Sequence, residues 1–232
     1  MYLLQRRRFL PVCLALLALV ALEAVAEAHG VSRRDASFVE SIKGAAIGPF
    51  LYLGAKHMVT GYDHLLFLVG VIFFLYRLKD VVLYVSLFTI GHSVTLLAGA
   101  LGGIHANSYL VDAVIGVSVV YKAFENMGGF KVVGFQPDTR AAVLGFGLVH
   151  GFGLATKLQD FALARVGLVG KIVAFNIGVE TGQLLALAAI LIVMGFWRRT
   201  DAFNRQAFTA NVAVMICGFI LIGYQAAGYF VS

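Results

Sequence analysis

The sequence predicts an all-α, polytopic membrane helical bundle of about six transmembrane helices, preceded by a cleavable signal peptide and a short amphipathic or half-inserted helix. Three observations carry that expectation. The 232-residue chain is 60% hydrophobic and only 13% charged, with a mean hydropathy of +0.89, whereas a soluble globular chain is about a quarter charged. Its apolar residues gather in long runs, each near the roughly 20 residues a helix needs to cross a bilayer. None of these runs shows the ten-residue alternation of a membrane barrel, and an open sheet would leave backbone groups unpaired in lipid.

Taken in order, residues 1–28 read as a secretory signal. Arg6, Arg7 and Arg8 form the charged start, Phe9 to Leu22 the apolar core, and small residues offer cleavage after Ala26 or after Ala28. The apolar core is too short to span on its own. Cys13 would leave with this segment. Cys217 then stands alone in an apolar helix, which leaves no disulfide framework and no Cys-based metal site.

Residues 29–43 form a short exported segment, and residues 44–232 the membrane helical bundle domain. Within the latter, 44–60 is a small-residue stretch interrupted by Lys56 and His57, and it reads as the half-inserted or surface-lying helix. Six spans are expected after it, at about 61–77, 80–101, 108–126, 140–157, 170–197 and 206–230. The 26 glycines suit close helix packing in a membrane.

The net charge of +6 falls mostly between the apolar runs. No basic patch interleaved with aromatics is present, so the lipid bilayer rather than a nucleic acid is the expected partner. Arg77, Lys79, Lys131, Arg140, Arg198, Arg199 and Arg205 lie on one side of the expected bundle, against Lys157, Arg165 and Lys171 on the other. The positive-inside rule then makes the first set cytoplasmic and puts both mature termini outside, in a bacterial inner membrane.

The chemistry lies in the ionisable residues of these runs. An ionisable side chain at bilayer depth costs several kcal/mol and marks a functional site by default. His57, Asp63 and His64 sit together in His-Met-Val-Thr-Gly-Tyr-Asp-His. On an unbroken helix the two histidines would stand about 10 Å apart along the axis, but a break at Gly61 would bring His57 back over Asp63 and His64. Taken alone, Asp63 could instead cap a helix and His64 bond a carbonyl. Imidazole with carboxylate suits nickel, cobalt, zinc, copper or iron better than magnesium or calcium.

His92 lies mid-span with Thr89, Ser93 and Thr95 around it, and His150 lies among Gly145, Gly147, Gly151 and Gly153. Each has a plainer reading, as an interhelical hydrogen bond or a polar staple in a packing seam. Glu180 has Asn176 four residues before it and Gln183 three after, with no cation at that spacing, and reads as a ligand or proton carrier. Glu125 has Lys122 one turn away and reads first as an ion pair. Asp112 reads as interfacial. His29 would become the mature terminus if cleavage follows Ala28, a peripheral chelator on the outer face, with His105 in an outer loop.

Such a set fits three functions. The first is a secondary permease for a divalent transition metal, since no nucleotide-binding motif is present. The second is an intramembrane hydrolase with fixed zinc or iron, and the third a bis-histidine haem protein for electron transfer.

The residues resemble the HupE/UreJ family of nickel and cobalt permeases. The likeness rests on His57-x5-Asp63-His64 and on the blocks Gly-Tyr-Asp-His-Leu-Leu-Phe-Leu (61–68), Phe-Thr-x-x-His-Ser-x-Thr-Leu (88–96), Glu-Asn (125–126), Phe-Gly-Leu-x-His-Gly-Phe-Gly-x-Ala (146–155) and Phe-Asn-x-Gly-Val-Glu-x-Gly-Gln (175–183). It covers residue 50 to the C-terminus. The resemblance implies a six-span inner-membrane permease, nickel or cobalt first, with zinc, copper and iron as other cargoes. Read together with the polar pattern above, His57, Asp63 and His64 are expected to capture the metal at the outer mouth, and His92, His150 and Glu180 to form a midplane site, with Asn176, Gln183, Glu125, Ser93 and Thr95 along the pathway. A homo-oligomer or metalloenzyme-maturation partners would accompany that role. The family's nickel members carry a denser His-and-Glu motif in the fourth span, of which this chain has His150 alone.

Overall fold

The computed structural model describes residues 47–160 and 167–231. The expected signal peptide, the exported segment and His29 lie outside the described residues. Eight helices run through the described chain: α1 (Ile47–Thr60), α2 (Tyr62–Ile72), α3 (Leu78–Gly102), α4 (Ser108–Asn126), α5 (Gly129–Val133), α6 (Thr139–Asp160), α7 (Leu168–Arg198) and α8 (Asp201–Val231).

Glycine decides how these helices pair. Against α6, a Cβ on Gly91 of α3 would sit 2.6 Å from the Leu144 carbonyl oxygen, and Gly147 and Gly151 press on the carbonyls of Phe88 and His92. Gly54 of α1 meets the Phe175 carbonyl of α7, while Gly178 meets that of Leu51. Gly116 of α4 and Gly218 of α8 face one another across the third pair. Lipid tails are as apolar as the side chains, so backbone approach of this kind, rather than a hydrophobic drive, holds membrane helices together. The bundle is therefore three glycine-seamed pairs: α1 with α7, α3 with α6, and α4 with α8.

Helix α2 stands among them. It packs on α1, α3, α4, α7 and α8, and its Phe67 ring lies 5.9 Å from Phe146 of α6. His64, Phe67, Leu68, Gly70, Val71 and Ile72 are all buried. Its 11 residues reach only about 16 Å, against the roughly 30 Å of a bilayer core.

A helix ending inside a bundle leaves orphan carbonyls. Arg198, at the end of α7, supplies the donors. Its guanidinium bonds the carbonyls of Ile72, Phe73 (2.8 Å) and Leu75 (3.0 Å) and stacks 5.0 Å from the Tyr76 ring. Each charged hydrogen bond of this sort contributes about 1.5–3 kcal/mol. Arg198→Met is therefore expected to lower stability by about 2–4 kcal/mol, measured as a reduced unfolding midpoint in detergent. Arg199, exposed and next in sequence, provides the control, with a change within about 0.5 kcal/mol.

The apolar runs predict six spans; among the described residues four helices, α3, α6, α7 and α8, are long and apolar enough to cross a membrane. Two expected spans depart for different reasons. The first, at 61–77, is helical only over α2, because the chain turns after Ile72 and Arg198 takes its carbonyls. The third, at 108–126, is helical throughout but carries Asp112, Lys122 and Glu125, which lower its apolarity. The stretch ahead of them also differs from a surface-lying helix. Phe50, Leu53, Gly54 and Met58 of α1 are buried, and the helix packs lengthwise on α7.

Candidate functional site

The break between α1 and α2 builds the site. Gly61 is extended, with φ −71° and ψ 93°, and a Cβ there would lie 2.8 Å from the His57 carbonyl oxygen and 3.2 Å from the His64 ring. The interruption folds His57 back, so that its ring centroid stands 5.3 Å from that of His64. That is about half the separation an unbroken helix would give.

Asp63 opens α2 and holds His64. Both the amide and the ring Nδ1 of His64 donate to its Oδ1, at 2.8 and 2.9 Å. An ionised carboxylate only accepts. The ring proton therefore sits on Nδ1, and Nε2 is left with a bare lone pair.

Two further imidazoles arrive from the α3–α6 pair. His92 and His150 place their ring centroids 5.9 and 4.9 Å from His64. His64, His92 and His150 are buried, with exposures of 4, 2 and 0%. Phe88 lies against His64, His92 and His150, Phe67 against His150, and Phe175 against His57. The sequence reading divides these histidines between an entrance and a midplane site. They form one cluster instead, because Gly147 and Gly151 let α6 settle onto α3 at the level of His92.

Four ring nitrogens in this cluster are buried without a partner: Nε2 of His57, His64 and His92, and Nδ1 of His150. Buried polar atoms are nearly always bonded, and each exception calls for a cause such as a water or an ion. A ring nitrogen about 2.1 Å from a metal puts the ring centroid about 3 Å from it, so two tetrahedral ligands have centroids about 5 Å apart. The three separations around His64 are of that size. As the side chains stand, however, no group of three His, Cys, Asp or Glu among the described residues is arranged to hold a metal ion. The rings are spaced as ligand pairs, without three donors converging on one point.

Glu180 belongs to a second polar group, between α3 and α7. Its Oε1 accepts from Ser93 Oγ (3.1 Å) and from Asn176 Nδ2 (3.0 Å). Gln183, one turn on, donates to Thr89 Oγ1 at 2.8 Å. Asn176 and Gln183 are both buried, and Asn176 Oδ1 lacks a partner. Thr95 faces α6 and donates to the Leu148 carbonyl at 2.7 Å, which fastens the α3–α6 seam. Glu125 is paired with Lys122 and also accepts from Thr139, at the far end of α4. His105 is exposed in the turn after α3.

Some polar partnerships are not visible in the linear order. Asp112, expected at the interface, is buried at 8% exposure and paired with Lys157 of α6 at 2.8 Å. Ser118, without exposed surface, meets His150. Asn126 bridges the Gly70 carbonyl and Asn211 of α8 at 2.8 and 2.9 Å. The sequence shows each as a polar residue inside an apolar run, whereas the helix that partners it is set by packing.

The family model for HupE / UreJ protein matches residues 33–232. The chain belongs to the HupE/UreJ family. That match takes in every described helix, including those that bring His57, His64, His92 and His150 together. The HupE/UreJ family is associated with nickel/cobalt transport-like membrane proteins and is permease-like rather than typically enzymatic. This HupE/UreJ protein matches no curated protein and no solved structure in the comparisons.

Proposed function

We propose that this HupE/UreJ protein is a secondary permease of a bacterial inner membrane that carries a divalent transition-metal ion, nickel or cobalt first. The observation that supports this most strongly is the meeting of four imidazoles at a helix break, with their buried nitrogens bare. Interrupted helices are a recurrent way for transporters to offer binding groups at bilayer depth. Imidazole nitrogens with one carboxylate suit a borderline transition metal better than magnesium or calcium.

His57, Asp63, His64, His92 and His150 bind the ion in this reading. Modest ring rotation brings donors onto it, which suits a site that must also release its cargo. Glu180, oriented by Ser93 and Asn176, supplies the second negative charge that a divalent ion requires besides Asp63. Gln183 and Thr95 hold the neighbouring helices in register. With both termini outside and the arginine-rich ends inward, an entering divalent cation gains about 4.6 kcal/mol at 100 mV. That is roughly three decades of concentration ratio, enough to drive accumulation without nucleotide hydrolysis.

Proteoliposomes with an inside-negative potential test this. Purified protein should accumulate radiolabelled nickel or cobalt above protein-free vesicles, and Glu180→Gln should cut the initial rate by at least about 10-fold. Failure of correctly folded protein to move nickel, cobalt, zinc, copper or iron would overturn the permease reading. Stoichiometric metal that survives prolonged dialysis would favour a fixed enzymatic site, and a Soret band would favour haem.

A further inference from the structure

Ser118 lies on α4, outside the residues that line the histidine cluster in the reading above. It has no exposed surface. Its Oγ makes two contacts of unequal length: 2.6 Å to the Ile115 carbonyl of its own helix and 3.1 Å to Nε2 of His150. A serine hydroxyl has one proton to give and two lone pairs to receive. The short contact, to the carbonyl three residues back, is the back-bond that helical serines commonly make. The hydroxyl proton is thereby committed to Ile115, and Oγ can only accept from the histidine.

That assignment has a consequence for the ring. If Nε2 donates to Ser118, Nε2 carries the proton of the neutral imidazole and Nδ1 carries the lone pair. Nδ1 of His150 is the atom that is buried without a partner, in the ring that stands 4.9 Å from His64. The opposite tautomer would put a proton on Nδ1 and leave nothing there to bind a cation. Asp63 does the mirror-image task for His64, by holding the proton on Nδ1 so that Nε2 is bare.

We propose that Ser118 is a positioning residue that fixes His150 in the Nε2–H tautomer and so presents Nδ1 as the ion-binding atom. The tautomer follows from hydrogen bonding alone; the purpose rests on the permease reading. Ser118 acts through His150 and does not itself touch the cargo. Losing a partner of this kind costs a metal site about 10–100-fold in affinity.

The test is a nitrogen-15 spectrum of histidine-labelled full-length protein in lipid vesicles without metal, with the His150 signals assigned by their loss in His150→Gln. Wild type should show a protonated Nε2 and a bare Nδ1 at His150. Ser118→Ala should populate the other tautomer and weaken nickel binding by at least about 10-fold, while Ser118→Thr, which keeps the hydroxyl, should restore both. A protonated Nδ1 in wild type, or an unchanged tautomer in Ser118→Ala, would overturn the proposal. The wild-type spectrum needs no variant to fold. The wild-type tautomer with nickel affinity unchanged in both Ser118→Ala and His64→Ala would instead overturn the ion-binding reading and leave the tautomer standing.

Discussion

His64→Ala is expected to abolish the proposed nickel or cobalt binding, with affinity falling by more than about 100-fold in equilibrium dialysis or calorimetry. This is the largest effect expected of any single side chain. The His64 ring is the hub of the cluster, since its centroid lies 5.3, 5.9 and 4.9 Å from those of His57, His92 and His150. Removing a hydrogen-bond partner of a metal ligand costs about 10–100-fold, and removing the shared ligand exceeds that. The fold should survive, because among the described residues the side chain's hydrogen bond is to Asp63, next to it in sequence, and α2 keeps Phe67, Leu68, Val71 and Ile72 as its packing face. A folded variant by circular dichroism that still binds nickel as wild type would count against His64 as the hub.

The second large effect concerns the seam that brings two of the histidines in. Gly151→Ala puts a methyl group against the His92 carbonyl and Thr95 Oγ1, neither of which is a flexible side-chain end. Thr95 is itself tied across to the Leu148 carbonyl, so α3 and α6 must part. Overpacking of this kind costs about 1–3 kcal/mol, more when backbone resists. Because His92 lies on α3 and His150 directly precedes Gly151, separation also spoils the ring spacing. We therefore expect a lower unfolding midpoint and at least about 10-fold weaker nickel binding. Gly145→Ala is the matched control on the same helix. Nothing lies within 4 Å of a Cβ there, and stability should stay level or rise by about 0.5–1 kcal/mol.

These residues also mark what a single sequence discloses. The all-helical membrane bundle and family membership were legible, the first from composition and apolar runs, the second from blocks around His57, His92, His150 and Glu180. The return of His57 over His64 was legible in part, since Gly61 stood between them as a place for a break. The gathering of His92 and His150 beside His64 was not, because helix adjacency is set by glycine seams between chain segments 50 or more residues apart. Nothing in Ile-Phe-Phe-Leu-Tyr signals that α2 stops at Ile72; the reason is Arg198, 126 residues away. Asp112 looked interfacial because Lys157 belonged to another run. Ser118 carries no signal of its own in the sequence; its role comes from an imidazole partner 32 residues away. Local breaks and polar exceptions could be read along the chain, whereas the partners that give them a role come from packing.

X-ray absorption spectroscopy on nickel- or cobalt-loaded protein in vesicles tests most directly whether the buried imidazoles are the ion site. The arrangement around His64 predicts a first shell containing at least three imidazole nitrogens near 2.1 Å, with the imidazole count falling by one in His150→Gln. A shell of oxygen ligands alone, or an imidazole count unchanged by loss of His150, would contradict it.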